Sequence, residues 1–139
     1  MLRYLLDTGI VSSPAAKIPD PAIGVQLARH GHASAIAAPV LHEMIYGVDR
    51  LPAGKRRDAL KSYLEDVVLA SFQVLPYAEA AARWHGSERA RLEGQGKPAP
   101  YVDGQIAAIA YTNGLILVTT NSPDFMGFRD LRVEDWSTK

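Results

Sequence analysis

The segment 101–125 (YVDGQIAAIAYTNGLILVTTNSPDF) constrains the fold of this chain more than any other. Apolar residues recur at helical spacing after Asp103, Gly114 is placed to end that helix, and residues 115–118 have the pattern of a short buried strand. The polar run TTNSPD follows directly. An acid at a helix start and oxygen-bearing side chains just past the next strand are typical of sites at one edge of an open α/β sheet. The alternative is that Asp103 is only a helix cap and TTNSPD only a turn.

The rest of the chain repeats this alternation of strands and helices. Apolar segments predict further strands at 2–6, 33–38, 72–75 and 131–133. Helical periodicity predicts helices at 19–31, from residue 39 onward, at 55–70 and at 77–92. Such an order predicts a three-layer α/β/α sandwich with a parallel sheet of about five strands. His85 lies in the middle of a predicted helix, where we expect a packing or surface role rather than a catalytic one.

Composition excludes several classes of function. A length of 139 residues suffices for one domain, 1–139, with its own core. The chain has no cysteine, which excludes thiol catalysis and zinc–thiolate sites. Asp7 interrupts the first apolar run, which argues against a signal peptide or a membrane span, so we expect a cytoplasmic protein without membrane contacts. The formal net charge is zero, so any contact with nucleic acid should be local.

Four acidic residues are placed so that a parallel sheet could bring them together. Asp7 follows the first strand, Glu43 lies in the first turns after the second, and Asp124 follows the fourth; Asp103 joins them if its helix points to the same edge. Converging carboxylates repel one another and are costly to bury. A hard divalent cation such as Mg²⁺ or Mn²⁺ offsets that cost and can activate water for attack on a phosphate. Each acid alone is explained by a cap or a surface position, but the set predicts a metal site.

Five sequence pieces resemble the PIN-domain family and, within it, the VapC-type toxins of toxin–antitoxin pairs. These pieces are LLDTGIV, LHEMIYGV, PYVDGQIAAIA, LVTTNSPDF and LRVEDW, in this order along nearly the whole chain. The resemblance implies a PIN-like sheet in the order 3-2-1-4-5 and a metal-dependent endoribonuclease that cuts RNA with Mg²⁺ or Mn²⁺. It also implies a homodimer and inhibition by a cognate VapB-type antitoxin whose tail enters the acidic groove.

The resemblance assigns roles to particular residues. It implies that Asp7 and Asp103 hold the metal most directly, and that Glu43 and Asp124 complete its shell, partly through water. All four are therefore candidate catalytic residues. Three further side chains are expected to orient the substrate or its phosphate. They are Thr8, Thr120 and Asn121.

Two positions depart from the pattern of the family. Gly9 stands where members usually carry asparagine or serine, and Asn121 stands where the fourth acid often lies, with Asp124 three residues on. The alternative function is therefore a catalytically weakened PIN-like domain that binds RNA or a protein. Asp7-Thr8-Gly9 is also the triplet of aspartic proteases, but those enzymes need an all-β fold, which the predicted helices argue against.

Overall fold

Five parallel strands form the single sheet of residues 1–138, the part of the chain that this computed structural model describes. The strands are β1 (Tyr4–Leu6), β2 (Ser34–Ala37), β3 (Gln73–Leu75), β4 (Ile116–Val118) and β5 (Val133–Glu134). Their order is β3-β2-β1-β4-β5, and every neighbouring pair is parallel. The predicted fold class and strand order are confirmed. Because all strands run the same way, their carboxyl ends lie at one edge of the sheet.

Helices surround this sheet. They are α1 (Thr8–Val11), α2 (Pro21–His30), α3 (Ala38–Asp49), α4 (Lys55–Ser62), α5 (Leu69–Ser71), α6 (Glu79–Gly94) and α7 (Tyr101–Thr112). Short 3₁₀ turns cover Ser13–Ala15, Gly31–Ala33 and Ser122–Phe125, and a π-helical segment, Tyr63–Val68, joins α4 to α5. No helix among residues 1–138 is long and apolar enough to cross a membrane.

The central strand carries the core. Leu5 and Leu6 of β1 are completely buried, as are Leu117 and Val118 of β4 beside them. A strand buried on both faces must be apolar at every position, which is why β1 and β4 read as continuous apolar runs in the sequence. Leu6 pairs with Val118 in the register of the two strands. The residues that follow them, at positions 7 and 119, are therefore neighbours.

Helix α7 packs against α6 with very little space between them. Half of the α7 residues are buried, and alanines at 107, 108 and 110 are completely so. His85 of α6 is 3% exposed and lies against Gly104 of α7. A Cβ at position 104 would lie 2.6 Å from Cδ2 of His85 and nearer still to its Nε2. His85 thus has the predicted packing role, and its partner is Gly104. At the other end of α7, Gly114 has a φ of 68° and ends the helix as predicted.

Some predicted boundaries are wrong. The helix predicted at 55–70 is divided by the π-helical segment, which buries Leu64 and Val68 and leaves Val67 45% exposed. The last strand is Val133–Glu134 rather than 131–133, because its place is set by backbone pairing with β4 at the sheet edge. The apolar spacing after residue 39 also predicts that Ile45 lies on the buried face of its helix, but Ile45 is 41% exposed.

Candidate active site

Asp7 lies at the carboxyl end of the central strand, and both of its side-chain oxygens accept hydrogen bonds. Oδ1 accepts from the backbone N–H of Thr8 at 2.9 Å, which caps the start of α1. Oδ2 accepts from the hydroxyl of Thr119 at 2.8 Å. Two donors from two different segments fix the plane of this carboxylate. Asp7 therefore presents its remaining lone pairs in a set direction.

Thr119 is a residue of this site that the sequence analysis missed. It is completely buried, and its hydroxyl oxygen also accepts a hydrogen bond from the backbone N–H of Asn121 at 3.0 Å. One hydroxyl thus connects Asp7 to the polar segment that follows β4. The signal that could have found it is strand register: once Leu6 is paired with Val118, position 119 must lie beside position 7.

Glu43 reaches the same edge from helix α3, which begins directly after β2. Its Oε2 accepts a hydrogen bond from the hydroxyl of Thr8 at 3.1 Å. Thr8 therefore donates its backbone N–H to Asp7 and its hydroxyl to Glu43, and so connects two of the predicted acids. Glu43 is nevertheless exposed to solvent, which is also what a surface glutamate would show.

Asp103 lies in the first turn of α7 and is half-buried. Burial, and then the negative charges of Asp7, Asp124 and Glu43, raise the pKa of Asp103 to about 6. All three of the other predicted acids are thus close enough to act on it electrostatically. The structure brings the four carboxyl groups together at the carboxyl edge of the sheet. Among residues 1–138, no lysine or arginine lowers the pKa of Asp103, so no cationic side chain in this part of the chain offsets the repulsion among the four acids.

The segment after β4 carries the remaining predicted residues. Asp124 is exposed in the 3₁₀ turn Ser122–Phe125, and its backbone N–H donates to the carbonyl of Asn121 at 3.0 Å. The side chains of Thr120 and Asn121 are exposed beside it. A Cβ added at Gly9 would lie 3.0 Å from Oγ1 of Thr120. The hydroxyl of Thr120 therefore lies next to the space that a side chain at position 9 would use.

A buried ion pair holds the chain just beyond this segment. Glu88 of α6 is 5% exposed and accepts hydrogen bonds at 2.8 and 2.7 Å from Nε and Nη2 of Arg91 and at 2.7 Å from the backbone N–H of Arg129. Arg91 in turn donates to the carbonyl of Gly127 at 2.9 Å. These bonds lower the pKa of Glu88, the hydrogen bond from Arg91 most of all. Helix α6 thereby fixes the loop that follows Asp124.

The four acids offer only oxygen ligands, which is the donor set that Mg²⁺ and Mn²⁺ prefer. Burial, and then the charges of the other three acids, oppose the ionisation of Asp103, and a cation among the carboxylates would offset that cost. Within residues 1–138, no three His, Asp or Glu side chains are arranged to ligate one ion directly. Mg²⁺ in proteins is usually held by one or two carboxylates, with water completing its shell.

Comparisons with known proteins agree with this geometry. The family model described as the PIN domain matches residues 4–130. The chain is 34% identical over 137 residues to the tRNA(fMet)-specific endonuclease VapC of Shigella flexneri, with 99% of this chain and 100% of the relative covered. It is 31% identical over 136 residues to ribonuclease VapC2 of Haemophilus influenzae, with 98% of this chain and 99% of the relative covered.

Solved structures are similar over the same length. The structure of FitAB bound to the IR36 DNA fragment matches with a TM-score of 0.88 and 27% identity, covering 98% of this chain and 97% of that one. DNA-bound VapBC from Salmonella typhimurium matches with a TM-score of 0.82 and 28% identity, covering 98% and 99%. The chain belongs to the PIN-domain family and, within it, to the VapC-type toxins.

Proposed function

We propose that this chain is the endoribonuclease toxin of a type II toxin–antitoxin pair and that it hydrolyses RNA phosphodiesters with Mg²⁺ or Mn²⁺. The observation that carries the proposal is the half-buried Asp103, whose pKa is raised to about 6 by burial and by three other carboxylates at the same edge of the sheet. A site made of four carboxylates repels a phosphate, so we expect it to bind a cation before it binds the phosphate of RNA. The similarity to ribonucleases of the VapC type supports the same conclusion.

Asp7 and Asp103 are the residues that would hold the metal directly, with Glu43 and Asp124 joining partly through water. When bound, a divalent cation lowers the pKa of a water molecule and offsets the charge of the attacked phosphate. The chain itself supplies orientation. Thr119 and the Thr8 N–H fix Asp7, and the Thr8 hydroxyl positions Glu43.

Three polar side chains are assigned to the substrate in this proposal. Thr120 and Asn121 are exposed beside Asp124 and can donate to phosphate oxygens, and Thr8 lies between Asp7 and Glu43. Gly9 lacks the polar side chain that family members usually carry. The Thr120 hydroxyl adjoins that space and supplies a polar atom there. On this proposal, the loss of a polar side chain at position 9 does not by itself make the site inactive.

The names of the relatives guide the choice of substrate and partner. Because two similar proteins are tRNA(fMet)-specific endonucleases, initiator tRNA is the first RNA to test. Similar structures are VapBC and FitAB complexes, so we propose a VapB-type antitoxin as the partner and a homodimer as the toxin assembly. An RNA substrate also implies that the protein works in the cytoplasm.

The experiment that tests the proposal is cleavage of initiator tRNA and total RNA by the purified chain, with Mg²⁺ or with EDTA. Asp7→Asn keeps the shape and an acceptor oxygen but removes the charge. We expect it to lower cleavage by at least about 100-fold. The matched control is Asp49→Asn, at the exposed end of α3, which should cut at the wild-type rate. Equal cleavage by both variants, or cleavage that persists in EDTA, would refute the proposal.

A growth experiment tests the toxin role separately. Expression of the wild-type chain should arrest growth, expression of Asp7→Asn should not, and co-expression of the adjacent antitoxin gene should restore growth. If RNA is cut in vitro while growth is unaffected, the chain is a ribonuclease but not a toxin.

A further inference from the structure

A cavity of about 390 Å³ opens beside the acidic centre. Its walls include Glu43 and His42 of α3, Tyr77 from the segment before α6, and Val102 and Gln105 of α7. Glu43 belongs to both the cavity and the group of four acids. Whatever fills the cavity therefore lies directly beside the atoms that would act on a phosphate. The volume is in the range of pockets that bind small organic groups.

The walls combine apolar surface with a side-chain amide that has no hydrogen-bond partner among residues 1–138. Val102 is 39% exposed although it lies in a helix with an apolar face, and the cavity accounts for that exposure. Tyr77 is held in place, because its hydroxyl shares a 2.8 Å hydrogen bond with Nδ1 of the buried His85. The side-chain amide of Gln105 is half-buried and makes no hydrogen bond within residues 1–138. An amide so placed offers one acceptor and two donors to an occupant.

The charge of the walls excludes one class of occupant. Glu43 is an acid, and the residues that line the cavity include no lysine or arginine. A phosphate group would be repelled there. A neutral, flat group with hydrogen-bonding atoms on its edge matches an aromatic and aliphatic wall that carries a free amide. In a single-stranded RNA whose phosphate lies at the acids, the group that fits this description is an adjacent base.

We propose that this cavity binds one unpaired nucleobase next to the scissile phosphate and that Gln105 reads the edge of that base. The inference rests on the proposed ribonuclease function and adds to it the part of the site that selects the sequence. Recognition of unstacked bases by side-chain amides and aromatic rings is the usual route to specificity for single-stranded RNA. Gln105 is thus a specificity-determining residue, distinct from the acids that act on the phosphate.

The first experiment measures sequence preference at the cut site. An RNA pool with four random nucleotides in a single-stranded loop is cleaved by wild type and by Gln105→Ala, and the products are sequenced. We expect the variant to cut the preferred sequences about 3- to 10-fold more slowly and to lose its preference at one position next to the cut. Gln73→Ala, at the amino end of β3 and so at the opposite edge of the sheet, is the matched control and should leave the preference unchanged.

A binding experiment separates the subsite from catalysis. Fluorescently labelled RNA hexamers of A, C, G or U are titrated into Asp7→Asn protein, with and without Gln105→Ala. If the affinity depends on the base, and Gln105→Ala removes that dependence, the result supports the subsite. This holds even if the wild-type chain cuts no RNA. If the wild-type chain cuts RNA with a base preference, and neither Gln105→Ala nor Gln105→Glu changes that preference, the proposed subsite is wrong. The proposed ribonuclease function is then unaffected. Affinities that are equal for all four hexamers also overturn it.

Discussion

At the scale of single residues, Asp103 has surroundings that disfavour its ionised form. Its carboxyl is half-buried among three other acids, and its pKa is raised to about 6. At pH 8 the group is ionised at a cost to the folded state, which Asp103→Asn removes. We expect this variant to melt at a higher temperature than wild type in EDTA, as measured by thermal denaturation, and to lose RNA cleavage. A lower melting temperature at pH 8, with Asp49→Asn unchanged, would contradict the assigned repulsion.

The structural role of Thr119 can be tested separately from the chemical step of RNA cleavage. It contributes no charge, yet its hydroxyl fixes Asp7 and accepts the N–H of Asn121. Thr119→Val keeps the shape and removes both bonds. We expect kcat/KM for RNA to fall about 10- to 100-fold and the affinity for Mg²⁺ to weaken, as for other residues that orient a metal ligand. Thr119→Ser keeps the hydroxyl and should retain both properties. A serine variant as impaired as the valine variant would show that the two hydrogen bonds of the hydroxyl do not by themselves account for the role of Thr119.

At the level of elements, the contact between α6 and α7 sets the position of Asp103. Gly104 adjoins that acid in sequence and meets the buried His85 where no Cβ fits. Gly104→Ala must push the first turn of α7 away from α6. We expect a loss of about 1–3 kcal/mol in the free energy of unfolding, measured with denaturant, together with weaker Mg²⁺ binding.

Two further variants control for the change at Gly104. Gly86→Ala lies on α6, where a Cβ would meet nothing within 4 Å, and it should stabilise the protein by about 0.5–1 kcal/mol. His85→Ala removes the side chain that Gly104→Ala would strike, so the double variant should lose less stability than the sum of the two single changes. Strict additivity would mean that the two residues do not act on one another.

The elements differ in how well sequence predicts them. Strands β1 and β4 can be predicted from the sequence, because each strand is buried on both faces and must therefore be apolar at every position. The division of the helix at 55–70 was not found, because a π-helical segment inserts its extra residue without a distinctive residue type. Thr119 was missed for a related reason: its role depends on the register of β1 against β4, a contact between residues 112 positions apart. Val102 likewise lines a cavity formed by several elements, so the periodicity of α7 alone cannot predict its exposure.

For the whole molecule, we expect the protonation of Asp103 to couple pH to binding of the proposed cation. Its pKa of about 6 exceeds the ordinary value of 3.8, so the folded state binds more protons than the unfolded state between these values. This stabilising contribution is fully present below pH 3.8 and is lost as the pH rises through 6. If Asp103 holds Mg²⁺ as proposed, protons and Mg²⁺ compete for the same carboxyl group. We expect Mg²⁺ to raise the melting temperature strongly at pH 7.5 and only slightly at pH 5.

The same measurement on Asp103→Asn provides the control for this coupling. The variant has no carboxyl to titrate at position 103, so its response to Mg²⁺ should be smaller and should change less with pH. A wild-type response that is equally large at pH 5 and pH 7.5 would show that proton release from Asp103 does not limit cation binding.

The two hydrogen bonds to Asp7 also bear on the choice among ions. Because each oxygen of Asp7 accepts a hydrogen bond from a different segment, rotating the carboxylate to place both oxygens on a single ion would strain or break one of these bonds. Ca²⁺ commonly takes carboxylates in that two-oxygen mode and tolerates irregular shells, whereas Mg²⁺ takes one oxygen from each and demands near-octahedral angles. If Asp7 holds the proposed metal, we therefore expect its two hydrogen bonds to favour Mg²⁺ over the larger Ca²⁺.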